Sequence, residues 1–106
     1  MAHDTHATPA RRYEAMQLVG SLHLEAEPDG GALVIDDRTL IAARVNKSAY
    51  LLLQALYQPR TLADLVTILT DAAHCNVAAA EASVAQLVDE LVGLGWVESP
   101  GRVAGL

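Results

Sequence analysis

Aromatic side chains are almost missing from this sequence: its 106 residues include no Phe, one Trp and three Tyr. A core of that kind must be built from Leu, Val, Ile and Ala, which suits helices laid on a small sheet. Cysteine is just as scarce, and the single Cys75 excludes an internal disulfide. No apolar stretch reaches the roughly 18 uninterrupted residues of a membrane span, and no N-terminal run has the form of a signal peptide. No membrane association and a cytoplasmic location are the resulting expectations. Basic residues are few: seven stand against thirteen acidic ones, for a net charge of −6. Binding to duplex nucleic acid draws most of its non-specific affinity from Lys and Arg set on phosphates. Here Arg11 and Arg12 sit near the start, Arg38, Arg44 and Lys47 lie mid-chain, and Arg60 and Arg102 are isolated. No nucleic-acid partner is expected.

What is present is a core-forming composition, 52% hydrophobic and 19% charged, in a chain long enough for one domain and too short for two. Residues 1–17 show no sustained period and carry Pro9, so they read as a flexible N-terminal arm. Alternation of apolar and polar residues from Leu22 to Glu27 marks a half-buried strand. Pro28-Asp29-Gly30-Gly31 is a turn cluster, and Ala32 to Ile35 is a short second strand. After the polar break Asp36-Asp37-Arg38-Thr39, Leu40 to Val45 forms a third strand. Connections this short favour antiparallel hairpins, so the three runs make a meander.

From Asn46 the period becomes helical. Asn46 or Ser48 can cap a first helix in which Ala49, Leu52, Leu53 and Leu56 share a face, with Pro59 as its stop. Thr61-Leu62-Ala63-Asp64 is a capping box opening a second helix, with Leu62, Leu65, Val66 and Leu69 as its buried stripe. That helix fades near His74, and Asn76 caps a third, whose stripe reads Ala80, Val84, Leu87, Leu91 and Leu94. Gly95 is placed to end it in a left-handed conformation, and Trp96-Val97 fold back onto the domain. The fold class is therefore α+β: a three-stranded antiparallel meander followed by three helices, over residues 18–98, with 99–106 as a C-terminal tail.

Catalytic chemistry finds little footing. His3 and His6 lie in the arm, His23 in a strand, and His74 adjoins Cys75, which is not the spacing of a closed zinc site. Cys75 has no base and orienting group in sequence register, and the Asp36-Asp37 pair is better explained by turn chemistry than by acid–base work. Gly30-Gly31 lacks the helix and Lys of a phosphate loop. No catalytic residue, metal site or cofactor is expected.

Four stretches in order, LVIDDRT, then ARVN with Ala49 three residues on, then PRTLADLV, then VAQLVDELVGLGWV, resemble the PqqD-like family. Members are also described as RiPP recognition elements, or precursor-peptide chaperones. The resemblance runs over residues 20–98. Where hairpins of that family often have Gly after Arg-Thr and aromatics in the third strand, this chain has Leu40, Ala42 and Ala43. The resemblance implies a winged-helix-like domain that binds the leader segment of a precursor peptide as an added strand. The leader would lie between the third strand and the third helix, for presentation to a modifying enzyme such as a radical SAM enzyme, a cyclase or a leader protease. On that reading the peptide-binding residues are Leu40, Ile41, Ala42, Ala43, Arg44 and Val45 in the strand and Ala85, Val88 and Val92 in the helix. Arg44 and Lys47 would attract acidic leader residues. An unpaired strand edge can also join a second copy, so a homodimer through it is a further expectation. The alternative is a winged-helix-like regulatory or nucleic-acid-binding module, which the acidic charge disfavours.

Overall fold

Short local signals set most of the element boundaries. The computed structural model of the chain describes residues 14–99. Its elements in order are β1 (Gln17–Leu18), β2 (Leu22–Ala26), β3 (Ala32–Asp36), β4 (Ile41–Val45), α1 (Lys47–Ala55), α2 (Leu62–Ala73), α3 (Val77–Leu94) and β5 (Val97–Glu98). Strands β2, β3 and β4 form an antiparallel sheet in that order, with Val34 opposite both Leu24 and Ala43. The expected meander and three helices are thus found. At the first hairpin, Gly31 is required: a Cβ there would lie 2.3 Å from the Val45 carbonyl oxygen.

The second hairpin carries a surprise at Leu40. It belongs to the turn, not to β4, and its backbone is left-handed at φ 62. A side chain in that region costs roughly 1–2 kcal/mol, which explains why a glycine suits the position that follows Arg-Thr. Leu40 is 82% exposed, so no burial offsets the cost. Leu40→Gly is expected to leave thermal stability unchanged or raise it by up to ~1 kcal/mol, measured by thermal unfolding. A clear loss would show that the Leu side chain makes a contact worth more than the strain.

Helix starts follow their caps. The Asn46 side chain accepts from the Ala49 amide at 2.8 Å, and that of Asn76 from the Ala79 amide at 2.8 Å. Thr61 and Asp64 form the reciprocal capping box. Gly95 ends α3 at φ 73. The stop of α1 differs from expectation: the helix ends at Ala55, before Pro59 is reached. The last carbonyls have found other donors, Ala55 taking the Arg60 Nε–H at 3.1 Å and Leu56 the Leu18 amide at 2.9 Å.

The last residues of the expected arm, Met16 and Gln17, belong to the folded domain. Residues 1–13 lie outside the described residues, but Met16 is buried and exchanges backbone hydrogen bonds with Arg60 at 2.8 and 2.9 Å. Gln17–Leu18 then pairs antiparallel with Val97–Glu98 in a second, two-stranded sheet. Strands of two residues carry no readable period, so sequence pattern could not reveal them. Of the expected tail, only Ser99 lies within the described residues.

The core joins Leu22 and Val34 of the sheet to Leu52, Leu53, Leu56, Leu65 and Leu69 of the first two helices. Helix α3 contributes Ala80, Val84, Val88 and Leu91, and Trp96 closes the end. The buried stripe of α3 is therefore rotated from the expected one: Val88 enters it, while Leu87 is half-buried and Leu94 is 38% exposed.

Candidate functional site

Among the described residues, no strand pairs with the outer edge of β4. Its alternate side chains divide as a pleat requires. Ala43 and Val45 pack toward the core, Ile41 at the strand's start is 44% exposed on the same side, and Ala42 and Arg44 face solvent. The Arg44 Nε–H donates to both carboxylate oxygens of Glu27 at 3.2 Å, so that charge is already engaged across the sheet.

Two flanks of helix α3 border its core stripe. At about 100° per residue, Ser83, Leu87, Glu90 and Leu94 share an arc on one side of the core stripe. Ala85 and Val92 lie roughly opposite that arc. A cleft of about 540 Å³ lies along this arc: its lining joins Asn46, just past the end of β4, and Ala49 and Leu52 of α1 to Ser83, Gln86, Leu87 and Glu90 of α3. Leu69 and Cys75 close its far side.

The expected helix residues sit on the other side of the core stripe from that cleft. Val88 is a core residue, 2% exposed, and what surface it keeps lies in the hollow that Val92 also lines. Val92 lines a separate hollow with Glu14, Met16 and Val97 beside the β1–β5 pair, and Ala85 is exposed on that same flank. Of the expected strand residues, Ile41 to Val45 form the free edge, and Leu40 sits at its entrance.

At the other end of β4 from Asn46, a polar bridge ties the β3–β4 turn to the end of α3. Asp36 is the buried acid among the described residues, fully shielded at the end of β3. Its Oδ1 accepts from Ser21 Oγ at 2.8 Å and from the Arg38 amide at 2.9 Å, and Oδ2 faces Arg38 Nη2 at 3.4 Å. That nitrogen also donates to the Gly95 carbonyl at 3.1 Å. Burial alone would raise the Asp36 pKa. The hydrogen bonds from Ser21 and the Arg38 amide, then from the guanidinium and its charge, outweigh it and hold the pKa below the ordinary 3.8.

A carboxyl with a lowered folded pKa contributes stability above its unfolded pKa, and that contribution is lost as pH falls through the folded value. The melting temperature is therefore expected to drop below about pH 4, and Asp36→Asn to remove this part of the drop. Parallel pH profiles for the two proteins would refute the assignment.

Other expected chemistry can now be placed. His23 and Asp37 form an exposed pair at 2.6 Å, His74 ends α2 in a left-handed conformation, and Cys75 is a half-buried free thiol. His3 and His6 lie outside the described residues. Among those described, no helix is long and apolar enough to cross a membrane.

Comparison with known proteins agrees with this fold. The family model described as "Coenzyme PQQ synthesis protein D (PqqD)" matches residues 31–97. A search of curated proteins finds no match. Among solved structures, the chain is similar to a lasso peptide synthetase B1 complexed with the leader peptide. The identity is 26% and the TM-score 0.64, over 78% of this chain and 96% of that one.

Proposed function

The chain belongs to the PqqD family, and on that premise we propose that it is a non-catalytic module that captures the leader segment of a ribosomally made precursor peptide. It presents that peptide to a modifying enzyme, of the radical SAM, cyclase or leader-protease kind. The observation that carries the reading is the edge of β4, which no strand covers among the described residues and which leads at Asn46 into a cleft walled by α3. The similar synthetase structure, which holds a leader peptide, supports the same assignment.

In this reading the leader adds to the sheet as a strand along Ile41–Val45, the general mode by which extended peptides use an exposed edge. Four backbone hydrogen bonds would contribute only about 2–6 kcal/mol in total. Association entropy offsets much of that, so side chains must supply the rest. The pleat turns every second leader residue toward α3. One meets Ile41 and Leu94, the next Ala43 and Leu87, and the third Val45 with Ser83 and Gln86. The groove thus favours an aliphatic or aromatic leader residue at the Ile41 end and tolerates a polar one at the Asn46 end. Burying one such side chain fully adds about 1.5–3 kcal/mol.

The test is fluorescence anisotropy with a labelled synthetic leader-type peptide, an extended segment carrying aliphatic or aromatic residues at alternate positions. Saturable binding that changes little with salt is expected, since backbone and apolar contacts dominate. No binding, or binding that collapses with salt as counterion release demands, would count against leader capture.

A further inference from the structure

The bridge at the Ile41 end of the groove spans 57 positions of sequence, from Arg38 to Gly95. Its anchor is a wholly buried carboxylate, and its outer member is a guanidinium about half exposed, at 54%. The carbonyl it reaches belongs to the C-terminal end of α3, a helix with no basic residue in its last turn. A cation there complements the negative end of the helix dipole, so Arg38 supplies from the sheet what α3 lacks. The bridge links the two elements that would wall the leader site: β4 begins three residues after Arg38, and Leu94 immediately precedes Gly95.

We propose that Arg38 is a positioning residue for peptide capture, whose guanidinium holds the start of β4 and the end of α3 at the separation that an inserted strand requires. The proposal rests on the reading of this groove as the leader site. A strand added to β4 lies about 4.8 Å from it, and its side chains reach α3 only if the helix end stays in place. The planar fork of Arg suits the task because one side chain must bond a carboxylate and a carbonyl in two directions. A Lys at this position keeps the charge without the fork. The bridge reaches the solvent at the groove's mouth, so its loss should move the helix end more than it unfolds the domain.

The experiment compares the full chain with Arg38→Ala, Arg38→Gln and Arg38→Lys, using the same labelled peptide and thermal unfolding of each. Arg60→Ala is the control: Arg60 also ties a side-chain N–H to a backbone carbonyl, that of Ala55, but away from the groove. The Ala and Gln variants are expected to bind about tenfold more weakly, with Lys in between. Arg60→Ala is expected to lower the melting temperature while leaving the dissociation constant unchanged. Wild-type affinity in folded Ala and Gln variants overturns the proposal, and so does an equal loss in Arg60→Ala, because affinity would then merely track stability. If none of the three Arg38 variants folds, Arg38 is a folding determinant and the positioning role is overturned too. A wild-type chain that ignores the peptide defeats the reading of the groove itself, which is a distinct result.

Discussion

Leu94→Asp and Ile41→Asp are each expected to weaken peptide binding by about 30-fold or more, because each removes an apolar contact at the end of the groove and sets a charge in its place. In the free protein these side chains are 38% and 44% exposed, well above the level of the core. Substitutions at such exposed positions usually change stability by less than ~0.5 kcal/mol, a shift of roughly 2–4 °C here. The effect on affinity should therefore far exceed the effect on folding. Ala85→Asp and Val92→Asp make the matching control. They add the same charge to the same helix on the flank beside the β1–β5 pair, and should leave the dissociation constant within about twofold. Anisotropy titrations of the four variants decide the matter. If Val92→Asp weakened binding and Leu94→Asp did not, the groove would lie on the wrong side of α3.

Trp96→Ala is expected to have the largest effect on stability. Trp96 is the sole tryptophan in a sequence without Phe, and it is 1% exposed. Its backbone fixes the corner after α3, donating to Leu91 at 3.0 Å and accepting from the Val19 amide at 2.9 Å. Truncating a buried aromatic costs about 3–5 kcal/mol. Small domains have only about 5–15 kcal/mol in all, so the variant should melt more than 10 °C lower, and partial unfolding at 25 °C would not be surprising. Trp96→Phe should cost much less. It keeps most of the ring volume, and it removes an indole N–H that has no acceptor among the described residues. Melting followed by circular dichroism measures both. A drop of only a few degrees for the Ala variant would mean that the corner is held elsewhere.

The parts of this fold that sequence made legible are those decided within a few residues. Asn46, Thr61 with Asp64, Asn76 and Gly95 each act on the neighbouring turn of backbone, so their chemistry can be read without knowing the tertiary structure. The meander was legible for a similar reason, because the pleat and the short connections fix which strand pairs with which. The orientation of α3 was not. Ala80, Val84, Leu87, Val88, Leu91, Val92 and Leu94 surround much of the helix with apolar surface, so periodicity admits more than one core stripe. Val88 is buried instead of Leu94 because Met16 and Val97 lie on its side, brought there by two-residue strands that leave no pattern. Ser83, Gln86 and Glu90 are polar positions outside the apolar stripe, and only the meeting with Asn46 and Ala49 turns them into the lining of a cleft. Asp36 was legible as turn chemistry. Its burial and its link through Arg38 to Gly95 were not, because nothing local connects residues so far apart.

Hydrogen exchange of individual backbone amides, followed by NMR with and without the leader peptide, addresses the free strand edge itself. Those amides of Ile41–Val45 that point away from β3 should exchange quickly in the free chain and slow markedly once the peptide pairs with them, with Leu87 and Leu94 resonances shifting in the same titration. Protection confined to the β1–β5 pair, or to the Ala85 and Val92 flank of α3, would contradict strand addition at β4.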